Sequence, residues 1–202
     1  MRFLDNFSGG SRGSTSAEYF LKQGYSVIFL FRKNSLQPFS RKFLLSDINN
    51  FLDYLEESPS TGELSVVKTS SEKVREALHA SKKVNEEDAL LKVTFVSVHD
   101  YLFLLKMISE EMSVCGDHAL IYAAAAVSDF YIPFNEMVTH KIQSSREPLV
   151  LTLKPVPKML SPLVDLWCPK AFVVSFKVCL NQTLSEIKPI FLFESWRRTR
   201  RY

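Results

Sequence analysis

Four short apolar runs, separated by helical patterns, constrain the fold of this chain more than any other feature. Residues 25–31, 91–96, 119–127 and 171–176 are nearly continuously apolar instead of alternating with polar residues. A strand with one wet face alternates, whereas a strand covered on both faces does not. Between the runs, Ala17, Phe20 and Leu21 mark a helix over 11–23 that Gly24 stops, and Phe51, Leu52 and Leu55 mark another. Residues 70–89 are rich in Lys and Glu and read as a helix with one solvated face. Tyr101, Leu102, Leu104, Leu105 and Ile108 give a strongly amphipathic helix, and a further helix is expected over 159–166. Short strands are expected at 64–67 and 149–153. Alternation of this kind predicts an α/β fold with a mainly parallel sheet.

Length and composition exclude several classes. At 202 residues the chain fits one domain. Apolar and charged fractions of 46% and 23% suit a globular protein with a sizeable core. Much of the net charge of +3 comes from Arg197, Arg198, Arg200 and Arg201, which leaves no basic field elsewhere to suggest a nucleic-acid partner. Cys115, Cys168 and Cys179 lack metal or disulfide spacing and read as reduced thiols, which implies a cytoplasmic setting. No run approaches a membrane span, and Asp5 with the following glycines is not expected to form a signal peptide. There is no internal repeat or Gly/Ser linker. The strand–helix alternation is lost after Lys177.

Three segments carry chemistry. Three of the six glycines (Gly9, Gly10 and Gly13) fall just after a short apolar segment and at the start of a helical pattern. A strand, a glycine turn and a helix start offer free backbone N–H groups to phosphate, although such a turn also occurs for structural reasons. The run fits neither G-x-G-x-x-G nor the Walker pattern. Ser8 adds a hydroxyl beside the glycines. Asn6 places an amide at the end of the preceding strand, where ligands of open α/β sheets bind. The second segment, Ala124-Ala125-Ala126-Val127-Ser128-Asp129-Phe130, sets small residues at a strand end, with Asp129 either a ligand carboxylate or the cap of the next turn. The third, His140-Lys141-Ile142-Gln143-Ser144-Ser145, is a polar loop in which Lys141 either meets a phosphate or is merely solvated. The pairs His99-Asp100 and Asp117-His118 sit at element boundaries, and neighbours in sequence point apart, so they read as caps. No catalytic triad or metal cluster is evident.

In order, these segments closely resemble the phosphopantothenate–cysteine ligases (phosphopantothenoylcysteine synthetases), of the eukaryotic free-standing type. The resemblance rests on residues 2–13, on Ala124 to Tyr131, on His140 to Ser145, and on Pro157-Lys158-Met159-Leu160-Ser161-Pro162-Leu163 followed by Ala171 to Lys177. It implies a three-layer α/β fold with a Rossmann-like nucleotide site. It also implies a reaction in which ATP, or CTP, with Mg²⁺ converts the carboxylate of 4′-phosphopantothenate to an acyl-nucleotide that the amine of cysteine then attacks. By the same resemblance Ser8, Gly10, Gly13 and Phe176 belong to the nucleotide site. Asn6, Ala125, Ala126 and Asp129 would hold the acyl-nucleotide, with Asn6 and Asp129 as the catalytic pair and Lys141 on the substrate. Arg2 would reach phosphopantothenate in a neighbouring subunit, which implies a homodimer.

The chain departs from the family pattern in places. Gly9 and Ser11 replace a serine and a basic residue of the glycine loop. The family has an upstream helix and strand with a further Ser-Gly-Gly-Thr turn, and after Lys177 the likeness ends. Residues 1–177 are therefore expected to form an incomplete ligase domain and 178–202 a divergent tail, giving a chain that is weak or inactive alone. A second reading is a non-catalytic member that acts at most as a dimer partner. A third, a nicotinamide-dependent oxidoreductase, is disfavoured because the run 25–31 ends in Arg32-Lys33, with no acidic residue for a ribose.

Overall fold

A computed structural model of the protein describes residues 8–44, 51–137 and 150–176. The chain divides into two compact units: Phe7–Val96, and Met1–Asn6 with Ser97–Tyr202.

The first unit opens with α1 (Ser11–Lys22), followed by β1 (Val27–Arg32), a short α2 (Arg41–Leu44), the strands β2 (Leu55–Glu57) and β3 (Leu64–Val66), α3 (Ser71–Glu86) and β4 (Leu90–Phe95). β1 and β4 pair in parallel, from Val27 against Leu90 to Arg32 against Phe95, with α3 in the crossover. α1 turns Ser14 and Ala17 inward, and both are buried. The expectation of strands covered on both faces is met only in part. Ile28 and Leu91, partners in register, are both exposed, and among the described residues this ladder has only two strands. The helix expected at Phe51, Leu52 and Leu55 is instead a single 3₁₀ turn, Phe51–Tyr54, with Leu55 already paired to Val66 in an antiparallel ladder. The same spacing fits either state over so few residues. Tyr54 is buried edge-to-face against Phe43, and the Lys73 ammonium lies 5.4 Å from the Phe43 ring centroid.

A buried-side ion pair fastens α1 to the segment after β1. The Glu18 carboxylate accepts from Arg41 Nε at 2.9 Å and Nη2 at 3.1 Å, and from the Phe39 N–H at 2.7 Å. Phe39 is held at φ +67°, a left-handed conformation that side chains rarely adopt.

The second unit begins with α4 (Val98–Met112). It continues through a 3₁₀ segment to β5 (Leu120–Ala123), β6 (Phe130–Tyr131), β7 (Lys154–Pro155), α5 (Leu160–Pro162) with a π-turn over Leu163–Trp167, and β8 (Phe172–Ser175). β5 and β8 pair in parallel, from Leu120 against Phe172 to Ala123 against Ser175. The core is Ala119, Ile121, Leu163 and Cys168, with Leu105, Met112, Trp167, Ala171 and Val173 packed on it. β5 is shorter than the 119–127 run, since alanine has little strand preference and the backbone leaves the ladder at Ala124. Residues 150–153 are not a strand. The pairing falls instead at Lys154 and Pro155, the residues that face Tyr131 and Phe130 of β6. Among the described residues no helix is long and apolar enough to cross a membrane.

Candidate functional site

In the first unit the glycine loop lies at the carboxyl end of β1. The Leu36 N–H donates to the Gly9 carbonyl at 2.9 Å, and the Gly10 N–H reaches Ser8 Oγ at 3.4 Å. Gly10 caps α1 from the left-handed region, at φ +79°. A Cβ added there would stand 3.1 Å from Ser35 Cβ and 3.3 Å from Ser35 Oγ, so both conformation and space require glycine. The Ser14 N–H and hydroxyl both donate to the Gly10 carbonyl at 3.0 Å, fixing the first turn. Gly13 is the third residue of the helix.

The start of α1 differs from that of α4. The α4 N-terminus is closed by a capping box: Ser97 Oγ accepts from the Asp100 N–H at 3.2 Å, and the Asp100 carboxylate accepts from the Ser97 N–H at 2.9 Å. Among the described residues no side chain caps α1, and no acidic residue stands in its first turn. The positive end of its dipole thus has no acidic side chain of its own first turn beside it, an arrangement suited to an anion.

In the second unit four of the remaining residues gather at the carboxyl ends of the parallel pair. Ala125, Ala126 and Asp129 lie on the loop that leaves β5, and Phe176 directly follows β8, its ring 5.1 Å from that of Tyr122. The alanines are exposed. Asp129 is exposed too, and its carbonyl, not its carboxylate, accepts from the Val156 N–H at 2.9 Å. Among the described residues no donor meets that carboxylate, and a strand rather than a helix follows it, so a capping role does not account for it. Ser128 Oγ donates to the Phe130 carbonyl at 2.8 Å and shapes the turn. Arg2, Asn6 and Lys141 lie outside the described residues.

Of the two His/Asp pairs, Asp100 does cap a helix, but His99 does not. Its ring meets Tyr131 at 5.2 Å and Phe134 at 6.3 Å. Asp117 and His118 do not point apart; they approach to 3.9 Å across a 3₁₀ turn, both fully in solvent, where such a contact counts for little. Sequence reading also missed Ser35. The sole signal was Asn34 beside it after the strand, a residue tolerant of its observed φ of +72°. Cys115 and Cys168 are free thiols, the first exposed and the second buried. Burial is the main cause pushing the Cys168 thiol above its ordinary pKa, and desolvation does the same to the Tyr101 phenol.

No protein-family model matches the chain. The chain is 44% identical over 178 residues to phosphopantothenate–cysteine ligase 2 of Oryza sativa and 44% identical over 182 residues to the ligase of Homo sapiens; each alignment covers 88% of this chain. It is 38% identical over 203 residues to the Saccharomyces cerevisiae ligase CAB2. A solved structure of a Cab2 mutant in complex with phosphopantothenate-cysteine superposes with a TM-score of 0.81 at 40% identity, covering 90% of this chain and 59% of that one. The chain spans 54% and 58% of the rice and human proteins. By sequence and by fold, the chain is similar to phosphopantothenate–cysteine ligases over a little more than half of their length.

Proposed function

We propose that the chain provides part of a ligase that joins 4′-phosphopantothenate to cysteine through an acyl-nucleotide. The observation that carries this reading is the acid-free start of α1 behind Gly10, which no side chain among the described residues caps. It suits the phosphates of a nucleoside triphosphate, ATP or CTP.

The chemistry sets what the residues must do. A carboxylate is a poor acylating agent until one oxygen becomes part of a phosphate leaving group. The pantothenate carboxylate attacks the α-phosphorus and pyrophosphate leaves. The cysteine amine then attacks the acyl carbon, the nucleoside monophosphate leaves, and the amine gives up a proton. Two anions must first be brought together, so donors matter more than bases. In this reading Ser8, Gly10 and Gly13 receive phosphate oxygens and Phe176 packs on the nucleotide. Ala125 and Ala126 let the intermediate approach the backbone, and Asp129 orients it or the incoming ammonium. Asn6 would donate to the developing oxyanion, and Lys141 and Arg2 would meet the substrate, Arg2 from a neighbouring subunit of a homodimer in the cytoplasm. Mg²⁺ accompanying the triphosphate would neutralise part of its charge.

Pyrophosphate release tests the proposal. The chain is mixed with ATP or CTP, Mg²⁺, phosphopantothenate and cysteine. Release that needs phosphopantothenate, and amide formation that also needs cysteine, supports it. Nucleotide binding without turnover would favour the non-catalytic reading, and absence of both would refute the assignment.

A further inference from the structure

His99 occupies the first turn of α4, between the two residues of its capping box. Its Nε2 is buried and has no hydrogen-bond partner among the described residues. A buried nitrogen left unpaired is a cost that a phenyl ring at the same place would not carry. What the side chain contributes is its ring, set edge-on to Tyr131 of β6 and to Phe134 just beyond.

Those two rings stand on the segment that carries Asp129. β6 is only two residues long and pairs with an equally short β7. Two further ties of the segment among the described residues, Val156 N–H to the Asp129 carbonyl and the Lys154–Glu136 ion pair, lead to that same short partner. α4, by contrast, packs Leu105 and Met112 on the core. The His99 ring therefore links a weakly paired loop to a capped helix anchored in the core.

We infer that His99 is a positioning residue: it clamps Tyr131 and Phe134 against the first turn of α4 and so fixes Asp129, two residues upstream, at the mouth of the β5–β8 pair. This rests on the ligase reading only for what Asp129 does once it is placed. The ring is the working part and the nitrogen is not.

Hydrogen exchange on the whole chain tests the clamp without requiring turnover. His99→Ala should speed exchange across residues 124–136 about tenfold or more while leaving β5 and β8 unchanged, and His99→Phe should restore the original rates. An unchanged loop, or a rise spread evenly over the unit, would overturn the inference. So would a Phe variant as impaired as Ala, which would make the nitrogen the group that matters. Where the chain turns over, His99→Ala should lower kcat about tenfold with KM for phosphopantothenate within twofold, and Phe should recover it. A wild-type chain with no turnover would count against the ligase reading and leave the exchange rates to decide the role of His99.

Discussion

Replacing Gly10 by alanine separates two costs that the structure combines at one residue. The first is conformational. An L-residue at φ +79° loses roughly 1–2 kcal/mol relative to glycine. The second is steric. The new methyl would stand 3.1 Å from Ser35 Cβ and 3.3 Å from its hydroxyl, and such crowding costs about 1–3 kcal/mol. Gly24 provides the control: its φ is +85°, yet nothing lies within 4 Å of its added Cβ, so Gly24→Ala carries the conformational cost alone. Exchange rates of the β1 and β4 amides report the stability of this unit directly. Gly24→Ala should raise them about five- to thirtyfold, and Gly10→Ala about thirty- to five-thousandfold, for roughly 1–2 and 2–5 kcal/mol. In a Ser35→Gly background the nearest atom remaining is the Leu36 nitrogen at 3.5 Å, an ordinary contact, so the cost of Gly10→Ala should fall to that of Gly24→Ala. Ser35→Gly also loses the hydroxyl bond to the Arg32 carbonyl, but that loss appears on both sides of the cycle and cancels. Equal costs at the two glycines, or a cycle with no coupling, would refute the reasoning.

Asp129→Ala should slow amide formation about a hundredfold while shifting Tm by less than about 2 °C, since its carboxylate meets no donor among the described residues; a large Tm loss with normal turnover would return it to a structural role. Glu18→Ala should cost about 2–3 kcal/mol in urea denaturation, because it removes three donors' acceptor at once and frees Phe39 from its left-handed conformation. The second unit should lose stability at high pH. Cys168 and Tyr101 are buried neutral with raised pKa values, so the unfolded chain releases their protons first. Their contribution is complete below about pH 9 and declines as pH rises through the raised folded-state values. In Cys168→Ala the decline seen by exchange of β5 and β8 should begin only near pH 10, where Tyr101 takes over; an unchanged onset would show that the thiol is not responsible.

The parts of the fold legible in the sequence were those governed by local pattern. α4 follows from 3.6-residue spacing and α3 from its Lys- and Glu-rich run, and Asp100 declared its cap because a capping box is a four-residue device. The glycine loop was legible because a positive φ selects its residue directly. What escaped depended on partners distant in the chain. Ser35 acquires its role from Gly10 and Arg41 from Glu18, contacts that no window of neighbouring residues contains. The strand expected at 149–153 was misplaced for the same reason, since Lys154 and Pro155 are paired only because Tyr131 and Phe130 face them. His99 looked like half of a boundary pair. Its ring contacts come from a loop some thirty residues on, and an imidazole in sequence gives no sign of whether its nitrogen or its plane is in use.

The two parallel ladders have a consequence for how the chain reaches its native state. Val27 must find Leu90 and Leu120 must find Phe172, each after a loop of about sixty or fifty residues has closed. Parallel pairing gives no early hairpin to shorten the search, so both closures fall late and refolding should be slow for a chain this size. The entropic difference between the two loops is only about 0.2 kcal/mol, since closure cost grows with the logarithm of length. Neither ladder therefore has a topological head start, and each closes within its own unit. Which forms first is left to the local stability of the helices between the strands: among the described residues, α3, sixteen residues long in one crossover, against the eight residues of α5 and its π-turn in the other. The first unit should gain its ladder sooner, and the loop bearing Asp129 should be among the last parts of the protein to take shape.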